Sequence, residues 1–226
     1  MILAVTAGTG GVGKSTVAYN LAAELDAVAV DADLGMADLP HSRGPDLHDV
    51  LSGRASPLEA VRDVGPVRIL PCGRSLAGAR ATDPAALVET VATVARQYGR
   101  VVIDSPAGMR SDTGLPLLSA DACLLVTQPS PPAVADAVRV RELARVIETP
   151  LVRVALNRVA PDRVRQEERR DERLATELGA PLVKIPESPT VARAQRAGQP
   201  VRELDRDALA TRQFERLGAE VRQALE

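Results

Sequence analysis

Seven short apolar runs, rich in Val, Ile, Leu and Ala, recur along the chain. They occupy residues 2–6, 27–31, 67–70, 101–104, 123–127, 151–156 and 182–185. Most are near-continuous rather than alternating, as expected for strands covered on both faces. Stretches of helical periodicity separate most of them, and alternating strands and helices predict parallel β-α-β units. We therefore predict an α/β fold with a doubly wound, mostly parallel sheet flanked by helices.

The helical stretches carry their apolar residues at intervals of three or four. The predicted inward positions are Val17, Leu21 and Leu25; Leu87, Val91, Val94 and Tyr98; Val134, Val138 and Leu143. The last helix is predicted over about 205–225, and it mixes acidic residues with arginine on its polar face. Because a membrane-lying helix usually has a cationic excess, we expect this helix to pack on the sheet. No Gly/Ser linker divides the chain, so we predict one domain, 1–226.

Composition limits the possible partners and compartments. The 226 residues have a formal net charge of -2 and only 1% aromatic side chains. That balance gives no electrostatic reason to expect nucleic-acid binding and no aromatic platform for stacking single-stranded bases. No run is long and apolar enough for a transmembrane helix, and the N-terminus lacks the features of a signal peptide. We therefore expect a cytoplasmic protein without sequence-specific nucleic-acid binding.

Cysteine and histidine are too sparse and too scattered to predict a metal centre. Cys72 and Cys123 lack metal-ligand spacing, and Cys123 lies in an apolar run where a free thiol acts as a small hydrophobe. A loop with Gly44 and Pro45 separates His41 from His48. We expect both histidines at the surface.

The first predicted strand ends in a glycine-rich loop that opens a predicted helix. Its Gly8-x4-Gly13-Lys14-Ser15 pattern matches the Walker A phosphate loop. Glycines at positions 8, 10, 11 and 13 let the backbone bend with its N–H groups pointing inward, and the helix end adds a positive potential. We predict that Lys14 reaches the β- and γ-phosphates and that the Ser15 hydroxyl ligates Mg²⁺.

Three aspartates follow predicted strands. Asp31 and Asp33 stand at the end of the second strand, and Asp104 ends the run "VVID", as a Walker B acid does. Ligands of doubly wound sheets bind beyond the carboxyl ends of the strands. A single aspartate there is usually a turn or cap residue, but three beside a phosphate loop favour a function. The sequence therefore predicts a metal and nucleotide site at this edge.

The base can be argued from the residues after the sixth run. A guanine reader typically carries Asn-Lys-x-Asp at this point, whereas this chain has Asn157-Arg158-Val159-Ala160. Alanine stands where the guanine-reading aspartate would be. The sequence therefore favours adenine, and hence ATP.

Six segments, taken in order, resemble the MinD/ParA family of P-loop ATPases. They are the phosphate loop, "VDADLGMADL", "ILPCG", "VVIDSPAG", "LNRV" and "IPESPTVARAQRAGQPV". The MinD branch is the closer match, and the likeness runs from Ile2 to about Asp205. The Walker A element is common to many ATPases, whereas "VVIDSPAG" together with "IPESPTVARAQRAGQPV" is much more specific. The resemblance implies a P-loop NTPase fold, ATP with Mg²⁺, and an ATP-dependent homodimer.

Site residues carry over where positions match. The resemblance implies that Asp33 positions or activates the attacking water, and that Asp104 holds Mg²⁺ in a second switch that includes Gly108. It implies that Asn157 reads the base and that the Pro186 segment closes over it. The phosphates would be surrounded by Gly10, Gly11, Val12, Gly13, Lys14, Ser15 and Thr16.

Two features depart from the family pattern. The family's first loop lysine crosses a dimer interface to the partner's phosphates, and Thr9 stands at that position. Thr9 brings no charge, although a cation supplied across an interface can matter by orders of magnitude. Arg110 is a candidate substitute cation. The family's basic amphipathic tail is also missing after "VRQALE", so we expect no membrane anchoring by the tail.

These features predict a nucleotide-dependent dimerisation switch that positions or regulates an unidentified protein partner. The expected activity is hydrolysis of ATP to ADP and phosphate, weak or partner-stimulated, with Lys14, Asp33 and Asp104 as the catalytic residues. A scaffold that binds nucleotide without turnover is the alternative that Thr9 supports. An ATP-dependent phosphotransferase or synthetase is a further alternative, although no second motif or added domain provides its substrate pocket.

Overall fold

A computed structural model describes residues 1–35, 37–40, 43–108, 114–166 and 169–226 of the chain. Eight strands form one sheet: β1 (Ile2–Ala7), β2 (Val28–Asp31), β3 (Arg62–Val64), β4 (Val67–Leu70), β5 (Val101–Asp104), β6 (Ala122–Thr127), β7 (Leu151–Val159) and β8 (Leu182–Pro186). Their spatial order is β3-β4-β2-β5-β1-β6-β7-β8. The phosphate-loop strand β1 therefore lies inside the sheet, between β5 and β6.

Eleven helices connect or flank these strands within the described part of the chain. They are α1 (Lys14–Leu25), α2 (Leu47–Leu51), α3 (Pro57–Ala60), α4 (Leu76–Arg80), α5 (Leu87–Tyr98), α6 (Gly114–Leu118), α7 (Pro131–Val146), α8 (Arg169–Leu178), α9 (Pro189–Arg196), α10 (Val201–Leu204) and α11 (Leu209–Leu225). None of these helices is both long and apolar enough to cross a membrane.

Every strand pair is parallel except β3 with β4. Helices cover both faces of the sheet, and strands β2, β5 and β6 are buried along their whole lengths. This burial explains why the apolar runs are continuous rather than alternating. The predicted doubly wound, mostly parallel α/β sheet is confirmed.

Helices α1 and α11 pack together on one face of the sheet. Val17 and Leu21 of α1 and Phe214 of α11 are fully buried in the same apolar cluster. A Cβ added at Gly218 of α11 would lie 2.8 Å from Cβ of Glu24 in α1, so glycine permits this close approach. The structure thus places the last helix against α1 on the sheet, as the sequence predicted.

Helix α7 differs from its prediction. Val134, Val138 and Leu143 were expected to form its inner stripe, but all three are only partly buried. The buried face carries three alanines and one valine: Ala133, Ala137, Val140 and Ala144. Because alanine brings the helix backbone close to the strands, it serves as the contact residue here. The larger valines and leucine lie at the flanks of that contact.

The region between β2 and β5 contains short elements that the apolar runs did not predict. Strand β3 is an antiparallel edge strand, and helices α2 and α3 begin with capping boxes at Asp46 and Ser56. These elements are too short to show an apolar periodicity, so their capping residues were the available signal. Arg110, the candidate substitute cation, and His41 lie outside the described residues.

Candidate functional site

The carboxyl ends of β1, β2 and β5 meet at one edge of the sheet. Asp104 of β5 is the register partner of Val5 in β1 and of Asp31 in β2. Parallel pairing therefore brings together the loop after β1 and the aspartates that end β2 and β5. This edge is where ligands bind in doubly wound sheets.

The loop after β1 turns sharply into α1. Gly13 has φ 91° and forms the left-handed N-cap of the helix, so a side chain at this position would be strained. A Cβ added to Gly13 would also lie 2.2 Å from Nδ2 of Asn157. The loop is therefore fixed both by its dihedral angles and by the end of β7. The free N–H groups at the start of α1 form a site for an anion.

Lys14 and Asp104 form a buried ion pair. Lys14 Nζ lies 2.5 Å from Asp104 Oδ1 and donates a second hydrogen bond, 3.3 Å long, to Ser15 Oγ. Lys14 is 6% exposed and Asp104 is fully buried. The pair places a flexible cation on the loop and an anion on the neighbouring strand, so the ammonium lies at the mouth of the phosphate loop.

The second oxygen of Asp104 has no hydrogen-bond donor among the described residues, although Asp104 is fully buried. Burial raises the pKa of Asp104, and this exceeds the lowering by the charge of Lys14 and by its hydrogen bond. A buried, unsatisfied carboxylate oxygen is costly. Such an oxygen is suited to receive a cation or a donor that arrives with a ligand.

Asp31 holds the loop that follows β2. Its carboxylate accepts hydrogen bonds from the backbone N–H groups of Asp33, Asp38 and Leu39, at 3.4, 3.1 and 3.1 Å. Burial, and after it the charge of the Asp104 carboxylate, raise the pKa of Asp31 to about 7. The Leu39 N–H and the Lys14 charge oppose this increase. Asp31 thus holds the backbone of the loop that follows β2.

The raised pKa of Asp31 predicts a stability change with pH in nucleotide-free protein. Between the ordinary value of 3.8 and about 7, the folded state binds more protons than the unfolded state, so the free energy of unfolding falls as pH rises. A rise of about three pKa units corresponds to a decrease in unfolding free energy on the order of 4 kcal/mol across that pH range. Urea unfolding in EDTA from pH 4.5 to pH 8 measures this fall.

The Asp31→Asn variant tests whether Asp31 causes this dependence of stability on pH. Asparagine does not titrate, so we expect a smaller fall in unfolding free energy over the same pH range. The remaining slope comes from other carboxyl groups whose pKa burial also raises, Asp104 and Glu24 among them. An Asp31→Asn slope equal to that of the wild type would contradict the assignment.

A cavity of about 570 Å³ lies above this edge of the sheet. The loop contributes Thr9, Gly10, Gly11, Gly13, Lys14, Ser15 and Thr16 to its wall, and the rest comes from Asp33, Gly35, Asp38, Pro106, Ala107, Arg158 and Gln195. Ligand pockets of proteins typically measure about 300–1,000 Å³. The structure therefore brings most of the predicted phosphate residues and Asp33 around one cavity. Asp104 is not on the cavity wall but contacts Lys14, which is.

The residues expected around the base lie close to the loop but not on the cavity wall. Asn157 is 7% exposed, and its amide Nδ2 donates a 2.7 Å hydrogen bond to the Val12 carbonyl oxygen. Pro186 is the buried last residue of β8. Gly108 has φ 88°, and its N–H bonds the Ala7 carbonyl oxygen at 3.0 Å. In this structure Asn157 supports the phosphate loop, and its reading of adenine stays a prediction.

The sequence reasoning missed three polar or charged side chains on the cavity wall. Asp38 lies within "VDADLGMADL" and accepts a hydrogen bond from the Ser15 hydroxyl. Gln195 lies within "VARAQRAGQPV", where its Oε1 accepts a hydrogen bond from Thr16 Oγ1. Arg158 follows Asn157 with a left-handed φ of 54°. The first two stood in segments already singled out, but nothing in the sequence showed which of their side chains would reach the loop.

The cysteines and the described histidine form no metal centre. Cys72 and Cys123 are both free and buried, and the burial of Cys123 agrees with its position in an apolar run. The expectation that His48 lies at the surface was wrong, because this side chain is 3% exposed. Its Nε2 lies 3.1 Å from the Leu34 carbonyl oxygen and 3.4 Å from Cys72 Sγ. His48 therefore packs beneath the loop after β2.

The donor set fits a magnesium–polyphosphate ligand. The Ser15 hydroxyl and the unpartnered Asp104 oxygen are hard oxygen ligands, which Mg²⁺ prefers. Among the described residues, no group of three or more His, Cys, Asp or Glu side chains could hold a metal ion alone. Phosphate oxygens from a nucleotide would complete such a site, as is usual for Mg²⁺. Lys14 and the loop N–H groups supply the complementary positive charge.

Comparisons with known proteins agree with this geometry. The chain is 35% identical to an uncharacterized ATP-binding protein of Methanocaldococcus jannaschii, over 97% of this chain and 87% of the relative. It superposes on the cell division ATPase MinD of Pyrococcus furiosus with a TM-score of 0.89 and 28% identity, covering 98% of both chains.

A third relative was solved with a nucleotide. This is the septum site-determining protein MinD of Pyrococcus horikoshii in complex with Mg-ADP, with a TM-score of 0.87 and 28% identity, covering 97% of this chain and 95% of that one. Residues 3–201 match the CobQ/CobB/MinD/ParA nucleotide-binding domain. This match and the phosphate-loop geometry together identify the chain as a member of the MinD/ParA family of P-loop ATPases.

Proposed function

We propose that this chain binds ATP with Mg²⁺ and hydrolyses it slowly, and that its nucleotide state controls self-association and the positioning of a protein partner. The observation that carries the proposal is the cavity in which Lys14, Ser15 and Asp33 converge above Asp104. The Mg-ADP complex of the Pyrococcus horikoshii relative supports the choice of ligand. We also propose that residues 1–226 act as one domain, since β1 to β8 form a single sheet.

The proposed roles follow from where each group lies. Lys14 already reaches 2.5 Å from Asp104 Oδ1, so a short movement of its flexible side chain transfers the ammonium from that carboxylate to a phosphate. Ser15 and Asp104 are placed to hold the metal ion. Asp33 lines the same cavity as the loop, and its carboxylate would orient a water for attack.

Catalysis in such a site rests on positioning and charge rather than on covalent chemistry. A bound magnesium ion would neutralise charge on the β- and γ-phosphates. The chain itself contributes the Lys14 ammonium, the N–H groups between Gly10 and Thr16, and the Asp33 carboxylate. Asn157 and Pro186 are the proposed base contacts, which requires that the Asn157 amide is shared between adenine and the Val12 carbonyl.

Hydrolysis-deficient binding is the second candidate function, and Thr9 favours it. Thr9 is partly buried on the cavity wall, at the position where the family carries a lysine that crosses to the partner's phosphates. Threonine keeps a hydrogen-bond donor but supplies no charge. Nucleotide binding by Lys14, Ser15 and the loop backbone is compatible with either candidate.

Size-exclusion chromatography with light scattering tests the switch. We expect wild-type protein to double its mass with ATP and Mg²⁺ and to return to the lower mass with ADP or EDTA. The Thr9→Lys variant restores a cation at the interface position. We expect it to strengthen ATP-dependent association and to raise turnover by about tenfold or more, since a cation supplied in trans is worth about 10³–10⁵ in related enzymes.

The two candidates differ in the outcome. Measurable wild-type turnover with a nucleotide-dependent mass supports the switch. ATP binding without turnover and without a change in mass would identify the chain as a scaffold. No increase in either property on Thr9→Lys would show that the missing charge at this position does not limit the reaction.

A further inference from the structure

The Ser15 hydroxyl is bonded to a carboxylate that the phosphate-loop pattern does not include. Ser15 Oγ donates a hydrogen bond to Asp38 Oδ2 over 3.2 Å. A serine hydroxyl carries one proton and two lone pairs. Lys14 Nζ donates to Ser15 Oγ at 3.3 Å and so occupies one of those lone pairs, while Asp38 Oδ2 accepts the hydrogen bond of the Ser15 proton. That orientation leaves a Ser15 lone pair for a metal ion.

Asp38 is held in place although its side chain is exposed. Its own N–H and the N–H of Leu39 both bond Oδ2 of Asp31, each at 3.1 Å. Asp31 is fully buried at the end of β2, and Leu39 is 4% exposed. The backbone at Asp38 is therefore fixed to the sheet, and its carboxylate is directed at the loop by that anchoring.

A second observation points to a cation at the same place. Asp104 is fully buried, and its Oδ2 has no partner among the described residues. The Lys14 ammonium contacts both the Ser15 hydroxyl and the Asp104 carboxylate, and Asp38 contacts that same hydroxyl from the other segment. The hydroxyl and the two carboxylates are oxygen donors of the kind that Mg²⁺ selects, and they differ in origin, coming from the loop, the segment after β2, and β5.

We propose that Asp38 is a positioning residue for the metal ion of the nucleotide site. It orients the Ser15 hydroxyl and adds negative charge just outside the metal's own ligands, so that metal affinity depends on the Asp38 carboxylate. The inference rests on the proposed function, because it presupposes a Mg²⁺–nucleotide complex at Ser15. Groups that orient a ligand of a metal ion typically change metal affinity by about 10–100-fold when removed.

Calorimetry with ADP separates this role from a purely structural one. ADP affinity is measured in EDTA and in Mg²⁺, and Mg²⁺ affinity is measured at saturating ADP. We expect Asp38→Asn and Asp38→Ala to weaken Mg²⁺ binding by about tenfold or more, with ADP affinity in EDTA unchanged or tighter. Asp38→Glu keeps the charge and is expected to recover part of the metal affinity.

Asp207→Asn is the matched control, because Asp207 is 97% exposed and does not line the cavity. Metal affinity in Asp38→Asn equal to that in Asp207→Asn overturns the inference while leaving the proposed function intact. Equal losses of ADP binding in EDTA and in Mg²⁺ also overturn it, since they indicate a general structural role. Wild-type protein that binds no ADP under either condition refutes the proposed function itself.

Discussion

We expect the Lys14→Ala variant to lose ATP turnover by about 10²–10³-fold or more, the scale seen when a charge-stabilising donor is removed from a reaction site. The Lys14 ammonium is the one lysine cation on the cavity wall, and it lies beside the Ser15 hydroxyl. Its removal takes away charge stabilisation at the phosphates. A phosphate-release assay on the wild type and the variant measures the loss.

The chain provides its own control for this experiment. Lys184 is the only other lysine, and it also forms a partly buried ion pair, with Asp171 at 2.7 Å. It does not line the phosphate cavity. We expect Lys184→Ala to keep wild-type turnover per folded molecule, even where stability falls. Equal losses in both lysine variants would assign the effect to folding rather than to the site.

Lys14→Ala also leaves Asp104 buried without its cation. Breaking a buried pair typically costs about 3–5 kcal/mol, and here the cost depends on pH. Lys14 lowers the pKa of Asp104 against the effect of burial, so its removal lets the folded state keep the Asp104 proton to higher pH. Because that state then binds more protons than the unfolded one, stability falls as pH rises. We expect the variant's melting temperature to approach the wild type at pH 5 and to fall furthest below it at pH 8.

The second large effect concerns Gly8, where β1 passes into the loop. A Cβ added here would lie 2.3 Å from the backbone carbon and oxygen of Asp136 in α7. Backbone atoms inside a helix cannot move aside as a flexible side chain can. We expect Gly8→Ala to destabilise the protein by about 3 kcal/mol or more, at or above the upper end of overpacking effects, and to weaken nucleotide binding by displacing the loop.

Two neighbouring glycines give matched comparisons. A Cβ on Gly10 meets nothing within 4 Å, and Gly10 has no left-handed φ, so we expect a change within about 0.5 kcal/mol. Gly11 has equal space but a φ of 78°, so Gly11→Ala is expected to cost about 1–2 kcal/mol. Urea unfolding of the three alanine variants tests whether the loss of unfolding free energy decreases from Gly8 to Gly11 to Gly10. A Gly8→Ala effect no larger than that of Gly10→Ala would contradict the close contact with α7.

Much of the fold could be predicted because its elements have strong local signals. All seven predicted apolar runs are strands, and α1 and α5 bury Val17, Leu21, Leu87 and Val91 as their periodicity indicated. The inward face of helix α7 was predicted wrongly, because its alanines contact the sheet while Val134 and Val138 are only partly buried. Hydrophobic periodicity ranks side chains by apolar character, whereas close packing of a helix against strands selects small ones.

The sequence by itself determined the class of sheet, the phosphate loop between β1 and α1, and the aspartates at two strand ends, because each depends on residues adjacent along the chain. Three features follow from tertiary structure alone: Asp38 accepts a hydrogen bond from the Ser15 hydroxyl, Asn157 supports the loop from β7, and His48 is buried. The first two contacts join residues 23 and 145 positions apart along the chain. Their geometry is set by strand order and register, which no local pattern encodes.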